Sequence, residues 1–429
     1  MKASVSVSGK TYRFGPFRLD TAECLLVRNG ERVPLEPQVY RTLAVLVENH
    51  QHLSRKEWLL QQIWGDTHVE EGGLTRNISV LRRVLGAGYI ETISKRGYRF
   101  VGEVAEVSVG TESPEAYQLY IKGRYQWNQR TEVGLKKATE YFEQAIERDP
   151  RYARAYSGLA DSNTTLGYLS HLAPREVFPR ANEAATRALR LDATLTEPHT
   201  SLAYVRLYYD WDWTGAEAEF RRALTLNPNY ATAHHWYAVY LTAMGRFEEA
   251  RAAIGRAQAL DPTSLMINTD LGFVLYYSRQ YDAAIQQLQM VTEMNADFAL
   301  AHFWLGRAYQ EKRRYDDAIA EFRRIEAALH GWPVVSAAIG HVHGVSGRTR
   351  EALETLDGLE RLRKERYVTP YGVALVHAGL GDKDEALAWL SRALVDRSHW
   401  LVWLKLDPRL DALRSDRRYA DLLLAVGLQ

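Results

Sequence analysis

Four side chains in the first quarter of the chain have the chemistry of a surface that reads DNA. They recur at positions i, i+3, i+4 and i+7, the spacing of one face of a helix, and they are Arg76, Ser79, Val80 and Arg83. Arginine and serine donate hydrogen bonds to base edges and phosphates, and valine can contact a thymine methyl. We expect Arg76 and Val80 to face base edges, and Ser79 and Arg83 to contact phosphates or to flank the groove.

The remainder of this helix indicates how the surface is held. Apolar residues recur at intervals of four, three and four, at Leu74, Ile78, Leu81 and Leu85. They form one stripe that must pack against a core, in a helix predicted to begin near Gly73. Asn77 and Arg82 border the polar face, and we expect them to contact phosphates or to flank the groove.

Two β-rich runs follow the helix, Tyr89–Ile93 and Tyr98–Val101. Between them stand four residues, of which Lys95 and Arg96 are cations. Runs of this kind joined by a short connection predict a β-hairpin, here with two positive charges at its tip. A helix followed at once by a basic hairpin is the arrangement of a winged helix. Lys95, Arg96 and Tyr98 are therefore expected to contact DNA from the wing.

This stretch resembles the OmpR/PhoB-type winged-helix family, especially its ToxR/CadC-like branch. The family segment VxxxxLTxxIxxLRxxLG is matched by Val69, Leu74, Thr75, Ile78, Leu81, Arg82, Leu85 and Gly86. The family segment YIETxxxRGYRF is matched by residues 89–92 and 96–100. An ordinary amphipathic helix beside an ordinary hairpin is the alternative. That alternative explains neither the order of the elements nor the cations at both expected contact points.

The resemblance implies a DNA-binding domain over residues 1–105. It implies a phosphate contact by Trp64, for which a half-buried packing role is an equal alternative. Family members often carry arginine where this chain has Ser79 and Val80, so the base preferences of the family do not transfer. The family also suggests an N-terminal β-meander, which the runs Tyr12–Leu19, Glu23–Arg28 and Glu31–Leu35 match.

Two scaffold helices are predicted between the meander and the recognition helix. Pro37 opens the first, which extends to about Asn49. Ser54 and Glu57 have the spacing of a capping box for the second, which continues to Trp64. Nothing before Tyr12 is long enough for a phosphoacceptor receiver domain, so control is expected from the C-terminal side.

The amino-acid composition favours some classes of protein and excludes others. Residues 1–105 hold 15 Lys and Arg against 11 Asp and Glu, a net charge of +4 in a chain whose total is +1. A modest basic excess suits a polyanion partner. The single cysteine, Cys24, excludes a disulfide framework and a cysteine-only zinc site.

No run reaches the roughly 18 apolar residues of a membrane span, and the N-terminus lacks a signal peptide. We therefore expect a cytoplasmic protein without a membrane anchor.

The second part of the chain is a repeat. Units of 34 residues follow one another without a gap and start at Glu197, Ala231, Leu265, Ala299, Pro333 and Tyr367. Position 20 of every unit is alanine, position 8 is small in five units, and position 24 is large and apolar. This is the tetratricopeptide pattern of two antiparallel helices per unit, with small residues where the helices cross.

Less regular segments flank these units. Two further units precede them, and the second carries an insertion at residues 167–179 that we interpret as a long inter-helix loop. Such a loop is more often a tolerated surface insertion than a binding face. Residues 106–114 are predicted to be a linker, residues 115–398 about eight helix pairs, and residues 399–429 a segment that caps the last apolar face.

No catalytic or cofactor-binding constellation stands out. The tight histidine clusters, His234-His235 and His341-Val342-His343, fall at packing positions of the repeat and lack a partner at metal-binding spacing. The acidic and aromatic run 210–213 falls at a turn between helices, where Trp213 occupies a repeat packing position. Glycine-rich phosphate loops and a GxSxG elbow are absent. We therefore predict neither an enzyme nor a cofactor.

The predicted fold is mainly α, with an N-terminal α+β winged helix-turn-helix domain followed by an all-α solenoid. The first hypothesis is a transcriptional regulator that binds double-stranded DNA and receives a protein or peptide partner in the groove of its repeats. Because one winged helix reads a short half-site, a homodimer or cooperating copies on direct repeats would add specificity. The alternative is a peptide receptor or scaffold whose winged helix docks proteins. DNA binding by the first domain discriminates between the two.

Overall fold

The computed structural model describes residues 11–21, 25–28, 31–64, 71–86, 88–94, 96–107, 110–328 and 332–428. The chain forms two compact units, Met1–Ile121 and Lys122–Gln429. The boundary between them falls inside helix α4 (Pro114–Asn128), which lies at the start of the predicted repeat region.

The first unit begins with an antiparallel sheet. Its strands are β1 (Thr11–Phe14), β2 (Phe17–Asp20), β3 (Leu25–Arg28), β4 (Glu31–Arg32) and β8 (Ala105–Val107), in the order β4-β3-β2-β1-β8. The expected meander is present, although its first predicted run, Tyr12–Leu19, forms two strands that pair with each other. Arg28 pairs with Glu31, and the two residues between them lie outside the described ranges. Strand β8 pairs with β1. The segment predicted as a linker from residue 106 therefore begins inside the sheet.

Helices and a second sheet follow. They are α1 (Pro37–Glu48), β5 (Ser54–Arg55), α2 (Lys56–Trp64), α3 (Glu71–Leu85), β6 (Ile90–Ile93) and β7 (Gly97–Phe100). The second sheet is antiparallel, in the order β5-β7-β6. Helix α3 begins two residues before the predicted Gly73, and Val69 lies outside the described residues. The helix and the hairpin that follows it are the predicted recognition helix and wing.

Ser54 does not cap helix α2 as predicted. It lies in strand β5 opposite Tyr98, and its hydroxyl accepts a hydrogen bond from Asn49 Nδ2 at 2.9 Å. Gly97 makes this pairing possible, because a Cβ at that position would lie 2.1 Å from the Ser54 carbonyl oxygen. The wing is therefore joined by a third strand that precedes α2 in the chain.

The apolar stripe of α3 packs as expected. Leu74, Ile78 and Leu81 are at most 2% exposed, and Leu85 is 6% exposed. They belong to one core with side chains from α1, α2 and both sheets. Burial of each such side chain contributes about 1.5–3 kcal/mol, so this stripe determines which face of α3 remains available.

The second unit is a solenoid of helix pairs. In the described part of the chain the pairs are α4 with α5 (Glu132–Arg148), α6 (Ala153–Tyr168) with α7 (Pro174–Leu191), α8 (Glu197–Val205) with α9 (Trp213–Leu226), α10 (Ala231–Ala243) with α11 (Phe247–Leu260), α12 (Leu265–Tyr277) with α13 (Tyr281–Met294), α14 (Ala299–Glu311) with α15 (Tyr315–Ala328), α16 (Pro333–Val345) with α17 (Thr349–Leu362), and α18 (Pro370–Leu380) with α19 (Lys383–Val395). Five of the six predicted units begin at the predicted residue, and the sixth begins at Pro370 instead of Tyr367.

The repeat positions pack as the pattern predicts. A Cβ on Gly272 would lie 2.6 Å from Leu288 Cγ, and one on Gly306 would lie 2.7 Å from the ring of Phe322. In these two units position 8 is therefore small because the large residue at position 24 of the same unit presses against it. In the unit that starts at Pro333, Gly340 lies instead against Thr355 and Val376. The alanines at position 20 of all six units are fully buried.

The predicted loop at residues 167–179 is wrong. Helix α6 continues to Tyr168 and helix α7 begins at Pro174, so only five residues connect them. Pro179 lies inside α7, and Val177 and Phe178 are fully buried. The extra length of this unit therefore extends its two helices, because its apolar residues have a core to enter.

The end of the chain does more than cap the last repeat. Helix α20 (Arg417–Ala425) packs against α19, as a terminal cap would. Before it, two short 3-10 helices, His399–Trp403 and Pro408–Leu413, contact the first helices of several pairs. We call residues 399–413 the strap, and the surface formed by the first helices of the pairs the inner face.

Candidate nucleic-acid interface

Three of the predicted contact residues share one exposed face of α3. Arg76, Ser79 and Arg83 are all exposed, opposite the buried leucine and isoleucine stripe. The side chain of Arg76 is 73% exposed and lies 3.6 Å from the Glu36 carboxylate, which is 70% exposed. An ion pair this open to solvent is weak, so a phosphate or a base edge can replace Glu36.

Val80 stands at the edge of this face. It is half-buried and packs against the core of the domain. Only part of its side chain is therefore available for the predicted contact with a base.

Asn77 does not belong to the exposed face. It is 6% exposed, and its Nδ2 group donates to the Gln38 carbonyl oxygen at 3.2 Å and to Thr42 Oγ1 at 2.9 Å. Both amide hydrogens are thereby used to join α3 to α1. The structure does not support the predicted DNA contact of Asn77, because a phosphate would have to break both bonds within the core.

Arg82 is held by the wing. Its Nε and one terminal nitrogen donate to the Ile90 carbonyl oxygen at 3.1 and 2.8 Å, and the same terminal nitrogen donates to Thr92 Oγ1 at 2.7 Å. Arginine presents its donors in a rigid planar fork, so this set of bonds sets the angle between α3 and strand β6. Arg82 is therefore placed to orient the two contact elements, which differs from the predicted phosphate contact.

The residues of the wing separate into two groups. Arg96 is exposed at the tip, and Lys95 lies outside the described residues. Tyr98 is 6% exposed and belongs to the core, so the structure does not support its predicted DNA contact. Trp64 is half-buried and packs against the same core, which is the packing role given above as its alternative.

Arg55 is a candidate contact that the sequence did not suggest. It is exposed in strand β5 and pairs with Gly97, the residue that follows Arg96 at the tip of the wing. The neighbouring Lys56 N–H donates to the Arg96 carbonyl oxygen at 3.3 Å. The local sequence predicts that Ser54 caps a helix that includes Arg55, whereas the strand partners of both residues lie more than 40 residues later. No local signal could have placed Arg55 beside the wing.

The histidine clusters of the solenoid are packing residues. His235 Nε2 lies 2.6 Å from Asp270 Oδ2, and both residues are buried. Burial lowers the pKa of His341 to about 3, and its Nδ1 lies 3.2 Å from Gln310 Oε1. Among the described residues, no three histidine, cysteine or acidic side chains are grouped to hold a metal ion.

The acidic and aromatic run at residues 210–213 is structural. Asp212 accepts a hydrogen bond from the Gly215 N–H at 2.9 Å and so caps helix α9. Trp213 Nε1 donates to the Val426 carbonyl oxygen at 3.0 Å. The carboxylate therefore closes a helix turn, and the indole contacts the end of the chain.

Comparisons with known families match both parts of the chain. Residues 30–100 match the family "Transcriptional regulatory protein, C terminal". Residues 212–266 and 269–330 each match a tetratricopeptide repeat family. The chain thus carries an OmpR/PhoB-type DNA-binding domain and tetratricopeptide repeats, and its fold is that of a winged helix followed by a helical solenoid.

Individual relatives and solved structures are similar to parts of the chain or to most of it. The chain is 39% identical over 121 residues to the transcriptional regulator HilA of Salmonella typhimurium, a match that covers 27% of this chain and 22% of HilA. The DNA-binding domain of CadC from E. coli is 25% identical, with 23% of this chain and 97% of that chain covered and a TM-score of 0.22. A structure of a monomeric IFIT1 mutant with Gppp-AAAA is 14% identical, covers 87% of this chain and 85% of that chain, and has a TM-score of 0.51. None of the helices in the described ranges is long and apolar enough to span a membrane.

Proposed function

We propose that this protein is a sequence-specific transcriptional regulator whose solenoid receives a protein partner or effector. The observation that carries the proposal is the exposed row of Arg76, Ser79 and Arg83 on α3, directly beside the wing. A helix of this kind fits the major groove, where arginine reads guanine and serine reads several bases. The wing then contacts the backbone or the minor groove.

Fewer residues are proposed to contact DNA than the sequence predicted. Arg76 reads a base edge, and Ser79 and Arg83 contact phosphates or flank the groove. Val80 adds an apolar contact at the edge of the helix. Arg96, together with Lys95 and Arg55, supplies positive charge from the wing and from the strand paired beside its tip. Backbone contacts of this kind position the domain, whereas the contacts from α3 supply specificity.

A single domain of this size reads a short half-site. We propose that two copies bind neighbouring half-sites, as a homodimer or as cooperating copies on direct repeats, because a short site alone gives too little specificity in a genome. The solenoid is the part of the chain with the surface to bring copies or partners together. We place its action in the cytoplasm, where bacterial DNA lies, and its relative HilA is also a transcriptional regulator.

Genomic DNA fragments test the proposal directly. The full-length protein is mixed with sheared genomic DNA at 50 and 200 mM salt, and the retained fragments are sequenced. We expect a short enriched motif at both salt concentrations, repeated at about one helical turn if two copies bind together. Retention that is uniform across sequences and vanishes at the higher salt would indicate backbone attraction alone and would favour the peptide-receptor alternative.

Two arginine variants test whether the enriched motif depends on the recognition helix. Replacing Arg76 with alanine should change which fragments are enriched, since this residue is assigned to a base edge. Replacing Arg350 in the solenoid, whose side chain is 83% exposed, removes the same charge from a different surface and should leave the motif unchanged. If both variants enrich the motif of the unmodified protein equally well, Arg76 does not read a base.

A further inference from the structure

The strap fills an aromatic slot on the inner face of the solenoid. Trp403 is 1% exposed and stacks on Tyr277, with ring centroids 4.5 Å apart and an angle of 20° between the rings. Phe273 meets the same indole edge-on, with centroids 5.0 Å apart. Both partners lie on α12, so the strap lies directly against the inner face of the solenoid.

A buried charge network holds the strap a few residues later. Asp407 accepts hydrogen bonds from Arg409 Nε at 2.9 Å and from its terminal nitrogen at 2.7 Å, and from the Tyr371 hydroxyl at 2.9 Å. Arg307 on α14 lies 3.4 Å from the same carboxylate, and both side chains are fully buried. The arginines hold the pKa of Asp407 well below its usual range. A buried pair of this kind is costly to break, because each partner left alone is an uncompensated charge.

The strap carboxylate of Asp407, 3.4 Å away, forms an ion pair with the Arg307 guanidinium of the inner face. The Arg307 guanidinium also lies over the rings of Tyr276 and Trp304, 4.5 Å from each centroid. These rings attract a cation but do not neutralise it. Removal of the strap would therefore leave Arg307 without the carboxylate of Asp407, with the Tyr276 hydroxyl at 3.1 Å and the charge of Glu311 as its remaining polar surroundings.

The start of the strap is held by the early repeats. The ring of His399 lies between Tyr168 and Tyr208, with centroids 6.0 and 5.8 Å away. Trp400 Nε1 donates to Ser170 Oγ at 3.1 Å, and just before the strap Arg397 donates to the Tyr209 carbonyl oxygen at 2.6 Å. The strap therefore joins repeats that are far apart in the chain.

Other contacts join the same distant repeats independently of the strap. Trp332 Nε1 donates to the Leu169 carbonyl oxygen at 2.9 Å, and Arg366 forms an ion pair with Glu132 on α5. The solenoid thus closes on itself, which a simple array of nearest-neighbour repeats would not do.

We propose that the strap is a permanent internal ligand of the solenoid, so that protein partners bind on surfaces other than the inner face. A tethered segment acts at an effective concentration on the order of millimolar for a short linker, which an outside peptide would have to exceed. That peptide would also have to supply both an aromatic side chain for the slot and a carboxylate for Arg307. The proposal concerns the solenoid alone and does not depend on DNA binding.

Native-state hydrogen exchange on the full-length protein tests this assignment. The strap amides of Leu404, Leu406 and Asp407 donate within the strap, so their exchange reports its opening. We expect these amides to exchange at the same rate, and with the same dependence on denaturant, as the buried amides of α12 and α14. Exchange at least 100-fold faster than those helices, independent of denaturant, would show that the strap opens locally and would overturn the proposal in favour of a displaceable strap.

Two matched variants sharpen the measurement. Asp407→Asn removes the buried carboxylate, and we expect it to accelerate exchange of the strap amides by 30-fold or more relative to the exchange of the DNA-binding domain. Asp411→Asn changes an exposed carboxylate of the same strap, which pairs with Arg279 at 2.8 Å, and should change those rates less than threefold. Equal effects of the two variants would contradict the role of the buried network. Should Asp407→Asn fail to fold, the measurement on the unmodified protein still decides the question.

Discussion

Helices α3 and α14 both carry arginine, and the comparison shows how differently the fold uses it. On α3, Arg76 and Arg83 are exposed on the face opposite a single apolar stripe. On α14, residues Leu300 to Gln310 are buried on all sides, and Arg307 is fully buried. The difference arises because other helices and the strap surround α14, whereas α3 is covered on one side. An arginine in a helix therefore indicates a binding surface only when the helix is known to bury the opposite face and to leave the arginine exposed.

Breaking the buried charge network should have the largest effect. Asp407→Ala leaves Arg307 and Arg409 buried without their carboxylate, and we expect a loss of about 3–5 kcal/mol in the free energy of unfolding of the solenoid. Urea denaturation followed by circular dichroism measures it. The exposed carboxylate of Asp411 provides the control, since Asp411→Ala should cost no more than about 1 kcal/mol. Similar losses in both variants would contradict the contrast between buried and exposed arginine pairs.

Removing the exposed arginines should affect DNA binding and leave stability nearly unchanged. Arg76→Ala and Arg83→Ala should each weaken binding, by about 1–3 kcal/mol where the residue reads a base, as measured by fluorescence anisotropy with an enriched site. The thermal unfolding of both variants should match that of the unmodified protein, because neither side chain is buried. Unchanged affinity in both variants would remove α3 as the recognition helix.

A change in pH tests the buried part of the solenoid in this comparison, through the buried imidazole of His341. Burial lowers the pKa of His341 to about 3, with Arg409, Asp407 and Arg307 as the nearby charges. Below pH 6.5 the unfolded chain binds a proton at this residue that the folded chain does not bind, so stability falls as the pH decreases. We expect His341 to account for about 2 kcal/mol of the loss between pH 7 and pH 5.

Urea denaturation of His341→Gln at both pH values measures this contribution. The variant should lose less stability than the unmodified protein over the same interval. His52→Gln, at an exposed position in the DNA-binding domain, serves as the control and should retain the full dependence on pH. If His341→Gln has the same pH dependence as the control, the buried imidazole does not govern it.

Replacement of Arg82 should have the smallest effect on DNA binding. Its effect distinguishes a residue that orients the wing from one that contacts a phosphate. Arg82→Ala removes the bonds to Ile90 and Thr92 that orient the wing, and we expect a loss of about 1 kcal/mol in DNA affinity. The dependence of affinity on salt should stay unchanged, because no phosphate contact is lost. Arg83→Ala should instead lower the salt slope by about 1 if that residue contacts a phosphate. A lower slope in the Arg82 variant would restore the predicted phosphate contact.

Local spacing in the sequence was sufficient to predict most elements. The intervals of the leucines and isoleucine placed α3 and its buried stripe, because one helix turn repeats every 3.6 residues regardless of the rest of the protein. The 34-residue period located the starts of five repeats to the residue, since small and large side chains must meet where each pair of helices crosses. Arg76, Ser79 and Arg83 were identified as one exposed face for the same local reason.

Contacts between distant residues decided the rest. Asn77 and Tyr98 lie in patterns that suit DNA contact, yet α1 and the core of the domain cover them, and no local pattern contains that information. Arg55 reached the wing through a strand pairing across more than 40 residues. The strap carries aromatic and charged residues that resemble an ordinary chain terminus, and its position on the inner face depends on Tyr277 and Arg307, each about 100 residues or more away. The sequence by itself determined which residues share a helix face, whereas the tertiary structure determined which of those faces remain exposed.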